Sequence, residues 1–262
     1  MPFTLAHPAA VLPLVRRPFV ASALVAGAVA PDLLYVGAVY RIATQYINGN
    51  FTLTLTHKFT SAFWLDPLLA LLLLLVFNLV VKRPLIALAP PALAARLPAG
   101  RLHVPGVKVL LWTVVSAVVG ALTHVVWDSF THGDGYFVRR FPDSVGDVNR
   151  ILQYVSTVGG CLILAIWLYR WYRRTPATVT VGDKLPAWIR YGVLGALLVF
   201  AAVGAIVELN RVEGDLAGET AVRVILSGPV SGGLAALGWY LIVWHLARLR
   251  RVVRRDATDG TV

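Results

Sequence analysis

Five apolar stretches, roughly 59–81, 106–127, 151–172, 188–208 and 222–247, are each long enough to cross a bilayer, and no other feature constrains this chain as much. A crossing takes about 20 apolar residues, because ~30 Å of hydrocarbon is covered at ~1.5 Å per residue. The first stretch contains a nearly unbroken leucine run at 68–76, with no helix breaker. Polar or proline-marked connectors at 84–105, 129–150, 175–186 and 210–219 separate the stretches, and none could hold a sizeable soluble domain. Backbone in hydrocarbon must satisfy its own hydrogen bonds, which a helix does within one segment. The expected fold is therefore all-α: a polytopic transmembrane helical bundle of five to six spans forming a single transmembrane domain, 1–262.

Charge points the same way. Only 14% of residues are charged and 58% are hydrophobic, whereas a soluble domain carries roughly 25% charged residues. The net charge of +11 sits in short clusters at the ends of apolar runs: Arg16-Arg17, Lys82-Arg83, 170–174 and 248–255. Such clusters mark cytoplasmic loops and meet anionic headgroups, so membrane lipids are the expected partners, not nucleic acid. Segment 82–108 carries Lys82, Arg83, Arg96, Arg101 and Lys108, and the tail carries five arginines from Arg248 onward. Segment 209–221 instead sets Glu213, Asp215 and Glu219 against Arg211. That alternation predicts a multi-pass protein of the bacterial cytoplasmic (inner) membrane with its C-terminus cytoplasmic. The lone Cys161 allows no intramolecular disulfide and no cysteine-built metal site. The Asn50-Phe51-Thr52 sequon matters only in a glycosylating pathway.

The first forty residues admit three readings. Residues 19–30, preceded by Arg16-Arg17 and ending Ala28-Val29-Ala30, mimic a cleaved signal peptide, although Pro31 would follow the cut. They could instead begin a spanning helix over 19–40. A third reading is a helical hairpin with Arg16-Arg17-Pro18 at its tip and legs of about 12 residues, ~18 Å each. The hairpin returns His7 and Asp32 to one depth, and the chemistry favours it.

Ionisable groups near a span are costly and are functional candidates by default. Here they gather near the ends of spans expected to face outward: His7, Asp32, His57, His124, Asp128, His132 and Asp134. His124 and Asp128 are spaced i, i+4, which puts both on one helix face within ~6 Å. An imidazole and a carboxylate so placed can hold a divalent cation, or they can form a structural hydrogen bond at a helix end. His132 would extend that face, but Gly133 and Gly135 predict that the helix stops near it. Asp32 could cap a helix, His57 could be an interfacial histidine, and His7 precedes a proline suited to a first helical turn. Lys58 and Asp66 flank the next span with no evident role. His103 and His245, among basic and tryptophan residues, read as interfacial.

The pieces Pro2-Phe-Thr-Leu-Ala-His7-Pro8-Ala9, Ala30-Pro31-Asp32, Thr56-His57 and the stretch from His124 through Phe-Thr-His132 resemble a bacterial membrane family of unknown function. Leu152-Gln153-Tyr154, with Ser156, Thr157 and Gly159, looks like a further shared piece, and the likeness covers roughly the first 160 residues. More distantly the order is similar to the inner-membrane metal-dependent hydrolases and to the zinc-dependent phospholipase C and P1 nuclease superfamily. That resemblance implies His7, Asp32, His57, His124 and Asp128 as metal ligands, with His132 as a further one. No His-x-x-x-Glu follows His132, so it implies one or two ions, not three.

Three imidazoles and two carboxylates suit zinc first and manganese second. The expected function is a metal-dependent hydrolase of a phosphoester or lipid-linked substrate at the outer face. Asp32 and Asp128 are the candidate catalytic groups, and Arg139 and Arg140 could bind an anionic substrate. The alternatives are a cation or proton transporter, or a non-catalytic scaffold with a structural metal.

Overall fold

The computed structural model describes residues 4–35, 55–97, 106–146, 148–178, 185–212 and 218–259. Among them every regular element is helical and five helices are long and apolar enough to cross a membrane: Leu65–Leu88, Val107–Arg140, Asn149–Arg174, Ala187–Leu209 and Ser227–Arg251. The polytopic α-helical membrane fold expected from hydropathy is thus the fold found. The sequon at 50–52 and His103 lie outside the described residues. The chain groups into two compact units, Met1–Leu79 with Gly100–Val179, and Val80–Ala99 with Thr180–Val262.

The first unit starts with the hairpin. One leg is a helical turn α1 (Pro8–Val11) flanked by 3-10 turns Thr4–Ala6 and Leu12–Leu14; the other is α2 (Ala21–Val29) continuing as a 3-10 turn, Ala30–Tyr35. Val11 of one leg packs with Leu24 and Ala28 of the other. Arg16 and Arg17 are exposed at the tip. Later in this unit come α3 (Leu65–Val76), preceded by a 3-10 turn Phe59–Phe63, and then α4 (Lys82–Leu88) and α5 (Pro91–Ala94) of the second unit. The first unit resumes with the long α6 (Val107–Thr131), the short α7 (Tyr136–Arg140) and α8 (Asn149–Arg174).

Small residues let α2 lie directly on α6. A Cβ at Gly27 would run into the Ala117 carbonyl, and one at Gly120 into that of Leu24. Ala26, Ala30, Ala70 and Ala117 form the core where α2, α3 and α6 meet. In a bilayer apolar burial alone does not drive helices together, so such close backbone approach is how they gain packing energy. The start of α2 is tied down by Ser116 Oγ on α6, which accepts from the Val20 N–H at 2.9 Å. Phe19 meets Trp112 edge-on nearby, with ring centres 5.7 Å apart. Ser116 and Asp128 are ~18 Å apart along α6 at ~1.5 Å per residue. The hairpin therefore runs from the Asp128 level to well inside the bundle.

In the second unit α4 and α5 join α9 (Ala187–Leu209) and the 42-residue α10 (Gly218–Asp259). The first span ends later than Lys82-Arg83-Pro84 suggested, because the helix continues to Leu88 through a π turn at Phe77–Val81. Pro84 has no N–H, so the Val80 carbonyl four residues back loses its helical donor. His245 Nε2 on α10 supplies one at 2.9 Å, and the Tyr240 hydroxyl donates to the Pro84 carbonyl at 2.8 Å. His245, read from sequence as interfacial, has this partner inside the unit. Leu88, Tyr240 and Trp244 form the local core.

Candidate metal centre

His124 and Asp128 stand on consecutive turns of α6, and the helix ends at Thr131 with His132 as its C-cap, as the two glycines indicated. Asp128 is one turn from that end, so the pair sits at one end of the bundle. Three other segments bring side chains to it. The hairpin delivers His7 from the first leg and Asp32 from the turn after the second. His57 comes from the turn before α3.

Asp32, His57, His124 and Asp128 each present one ligand atom, all four within 4.8 Å of one another. His124 Nε2 lies 3.2 Å from Asp128 Oδ2 and 3.6 Å from Asp32 Oδ1. His57 Nε2 lies 3.4 Å from Asp128 Oδ2 and 3.3 Å from Asp32 Oδ1. These separations exceed the ~2.7–2.9 Å of a charge-assisted hydrogen bond. Asp32 Oδ1, His124 Nε2 and Asp128 Oδ2 are buried without completing any hydrogen bond. Tetrahedral ligands at ~2.0–2.1 Å from a metal lie ~3.3–3.4 Å from each other, close to these four nitrogen–oxygen separations. Buried polar atoms normally find partners, so unsatisfied donors converging on one point fit a divalent ion.

The surroundings aim these atoms. His124 Nδ1 donates to the Ala28 carbonyl at 2.7 Å, which leaves the Nε2 lone pair facing the site. The Thr4 hydroxyl donates to Asp32 Oδ2 at 2.6 Å and leaves Oδ1 for the site. Thr56 Oγ1 is 3.1 Å from His57 Nδ1, so with Nδ1 as donor Nε2 is the ring nitrogen turned toward Asp32 and Asp128. Partners of this kind fix the tautomer and orientation of metal-binding groups. Burial alone would lower the basicity of His57, but the Asp128 and Asp32 carboxylates outweigh it and raise its pKa to about 9.

His7 and His132 adjoin the four-donor set on its far side. His7 stacks on His124 with ring centres 3.7 Å apart, and its Nε2 lies 3.4 Å from Asp128 Oδ1. Ala6, just before it, rests against Gly160 of α8. His132 Nδ1 is 3.5 Å from the same Oδ1 and donates to the Asp128 backbone carbonyl at 3.1 Å. The two oxygens of Asp128 therefore face different imidazole pairs. Arg139 and Arg140 stand exposed on α7, Arg140 over the Phe141 ring. Asp134 is exposed on the loop between α6 and α7.

Sequence reasoning missed the supporting groups. Thr4 and Thr56 lie inside motifs singled out for their histidines, and the Ala28 carbonyl has no signature at all. It also left Asp66 without a role. That residue, in the first turn of α3, is fully buried with both carboxylate oxygens lacking a hydrogen bond.

No curated protein and no solved structure matches the chain. A family model matches residues 1–243, well past the first 160 residues and into α10. With the model covering most of its length, the chain belongs to the family described as Domain of unknown function (DUF4184).

Proposed function

We propose that this protein is a membrane-embedded, metal-dependent hydrolase of a phosphoester, working at the outer face of a bacterial cytoplasmic membrane. The observation that carries the reading is the convergence of four ligand atoms from three chain segments, three of the atoms buried and unsatisfied. Two imidazole nitrogens and two carboxylate oxygens suit zinc, with manganese next. The resemblance of the His7, Asp32, His57 and His124-x-x-x-Asp128 order to membrane metal-dependent hydrolases supports the same class.

A divalent ion held with one position open supplies Lewis acidity toward a phosphoryl oxygen and brings the pKa of water toward ~7. The protein's own groups then divide as follows. Asp32 Oδ1, His57 Nε2, His124 Nε2 and Asp128 Oδ2 would hold the ion. Asp128 Oδ1 faces His7 and His132, which with it would be the residues to hold a second ion. His132, partly exposed and outside the four-donor set, would carry a proton on Nε2 while Nδ1 stays committed to the Asp128 carbonyl. The place of Asp128 one turn from the end of α6 weighs against an ion relay, which would set acids near mid-membrane.

The test is metal content of the detergent-purified protein by mass spectrometry, wild type beside His124→Ala/Asp128→Ala, followed by a phosphoester screen. One or two equivalents of zinc or manganese in the wild type only, with metal-dependent hydrolysis, is the expected result. A folded wild type that takes up no metal even when supplemented sinks the reading.

A further inference from the structure

Four of the six side chains of the centre are sealed: none of His7, Asp32, His124 and Asp128 exposes more than 5% of its side-chain surface. His57 and His132 expose 19% and 20%, and their rings meet edge to face at 6.1 Å. Among the described residues, the centre is thus reached along the edge between these two imidazoles.

The two segments leaving that edge share one chemistry. After His57 come exposed Lys58 and the turn whose Phe59 and Phe63 are exposed, then exposed Trp64. After His132 comes α7, anchored by the stacking of Phe137 on Phe130 at 4.1 Å and by buried Val138. Its other side exposes Tyr136, Arg139 and Arg140. The span that contains α3 begins at Leu65, just after the first rim, and the span that contains α6 ends at Arg140 on the second, so with these spans across a bilayer both rims would lie near the lipid headgroups. Aromatic rings are at home at that depth, and lysine and arginine there attract anionic headgroups. A small water-soluble ester would use the basic groups but has no need of the aromatic ones, which are costly to show to water.

Resting on the hydrolase reading, we propose that the substrate is an anionic phospholipid taken from the bilayer through the His57–His132 edge. Lys58, Arg139 and Arg140 attract the anionic lipid to this edge, while Phe59, Phe63 and Tyr136 lie along the upper acyl chains. The phosphoryl group then sits at the level of the four-donor set.

The test uses the full chain, metal-loaded, with Phe63→p-benzoylphenylalanine, in vesicles of equal parts phosphatidylglycerol and phosphatidylcholine with identical acyl chains. Photocapture should favour phosphatidylglycerol several-fold, and Lys58→Gln/Arg139→Gln/Arg140→Gln should abolish the preference while metal content stays at the wild-type level. Equal capture of both lipids, or a preference unchanged in the triple variant, overturns the proposal. Hydrolysis of phosphatidylglycerol and of p-nitrophenyl phosphate by the wild type is measured in parallel. Cleavage of neither sinks the hydrolase reading alone, whereas cleavage of the soluble ester with no lipid preference sinks the lipid proposal alone.

Discussion

His124 Nδ1 donates to the backbone carbonyl of Ala28 at 2.7 Å, although the two residues are 96 positions apart. An imidazole reaches a carbonyl inside a neighbouring helix only if the two backbones nearly touch. Gly27 and Gly120 provide that contact, since neither position has room for a Cβ. The packing of α2 on α6 therefore fixes the tautomer of one candidate ligand and also brings Asp32, three residues after the helix, to the site.

Gly120→Val should consequently damage the centre without touching a ligand. Pushing α2 off α6 breaks the Ala28–His124 bond and moves Asp32 Oδ1 from its place. Loss of a supporting hydrogen bond of this kind costs about 10–100-fold in metal affinity. Competition with a chromophoric chelator measures it, and wild-type affinity in a folded Gly120→Val protein contradicts the account.

Thr4→Val tests the other arm. The substitution keeps the side-chain shape and removes the donor to Asp32 Oδ2. Oδ2 is then free to rotate toward the ion, so geometry loosens and affinity drops by about 10–100-fold. Thr60→Val, on the exposed face of the turn after His57, serves as the control and should leave affinity unchanged.

The legible and illegible parts of this molecule divide on physical lines. Spans are legible because hydrocarbon thickness dictates apolar length, and the His124–Asp128 pair because helical spacing alone makes it a unit. The hairpin could be read because Arg16-Arg17-Pro18 divides two legs too short to cross separately. Its chemistry then required His7 and Asp32 to come together, and both meet the His124–Asp128 pair, His7 stacked on the His124 ring and Asp32 beside its Nε2. The end of the first span was not legible. Lys82-Arg83-Pro84 looks like a stop, yet the helix continues because His245, 165 residues later, takes the carbonyl that Pro84 leaves free. Ala28 escaped for the same reason: backbone carbonyls carry no sequence signal, and partners so far along the chain obey no local spacing.

Removing the ion should loosen the first unit. An ion that binds only the folded form stabilises it by ~2.7 kcal/mol at 100 times its dissociation constant. Chelator treatment should therefore lower the thermal midpoint in detergent, and added zinc should restore it. Imidazole and carboxylate bind metal only when deprotonated, so retention should fall as the buffer is made more acidic. A midpoint indifferent to chelator would show that the donors hold no ion that matters to the fold.

Asp66 gives a prediction of opposite sign. Its carboxylate is fully buried at the start of α3 and neither oxygen has a hydrogen bond. Such a group burdens the fold by about 1–3 kcal/mol, more when charged. Asp66→Asn keeps the shape and removes the buried acid, so the thermal midpoint should rise, with metal content unchanged because Asp66 is not among the four donors. Thermal unfolding in detergent beside metal analysis gives the answer. A lower midpoint with metal retained would mean that the carboxylate has a stabilising partner in the membrane, and loss of metal would mean that it supports the centre directly.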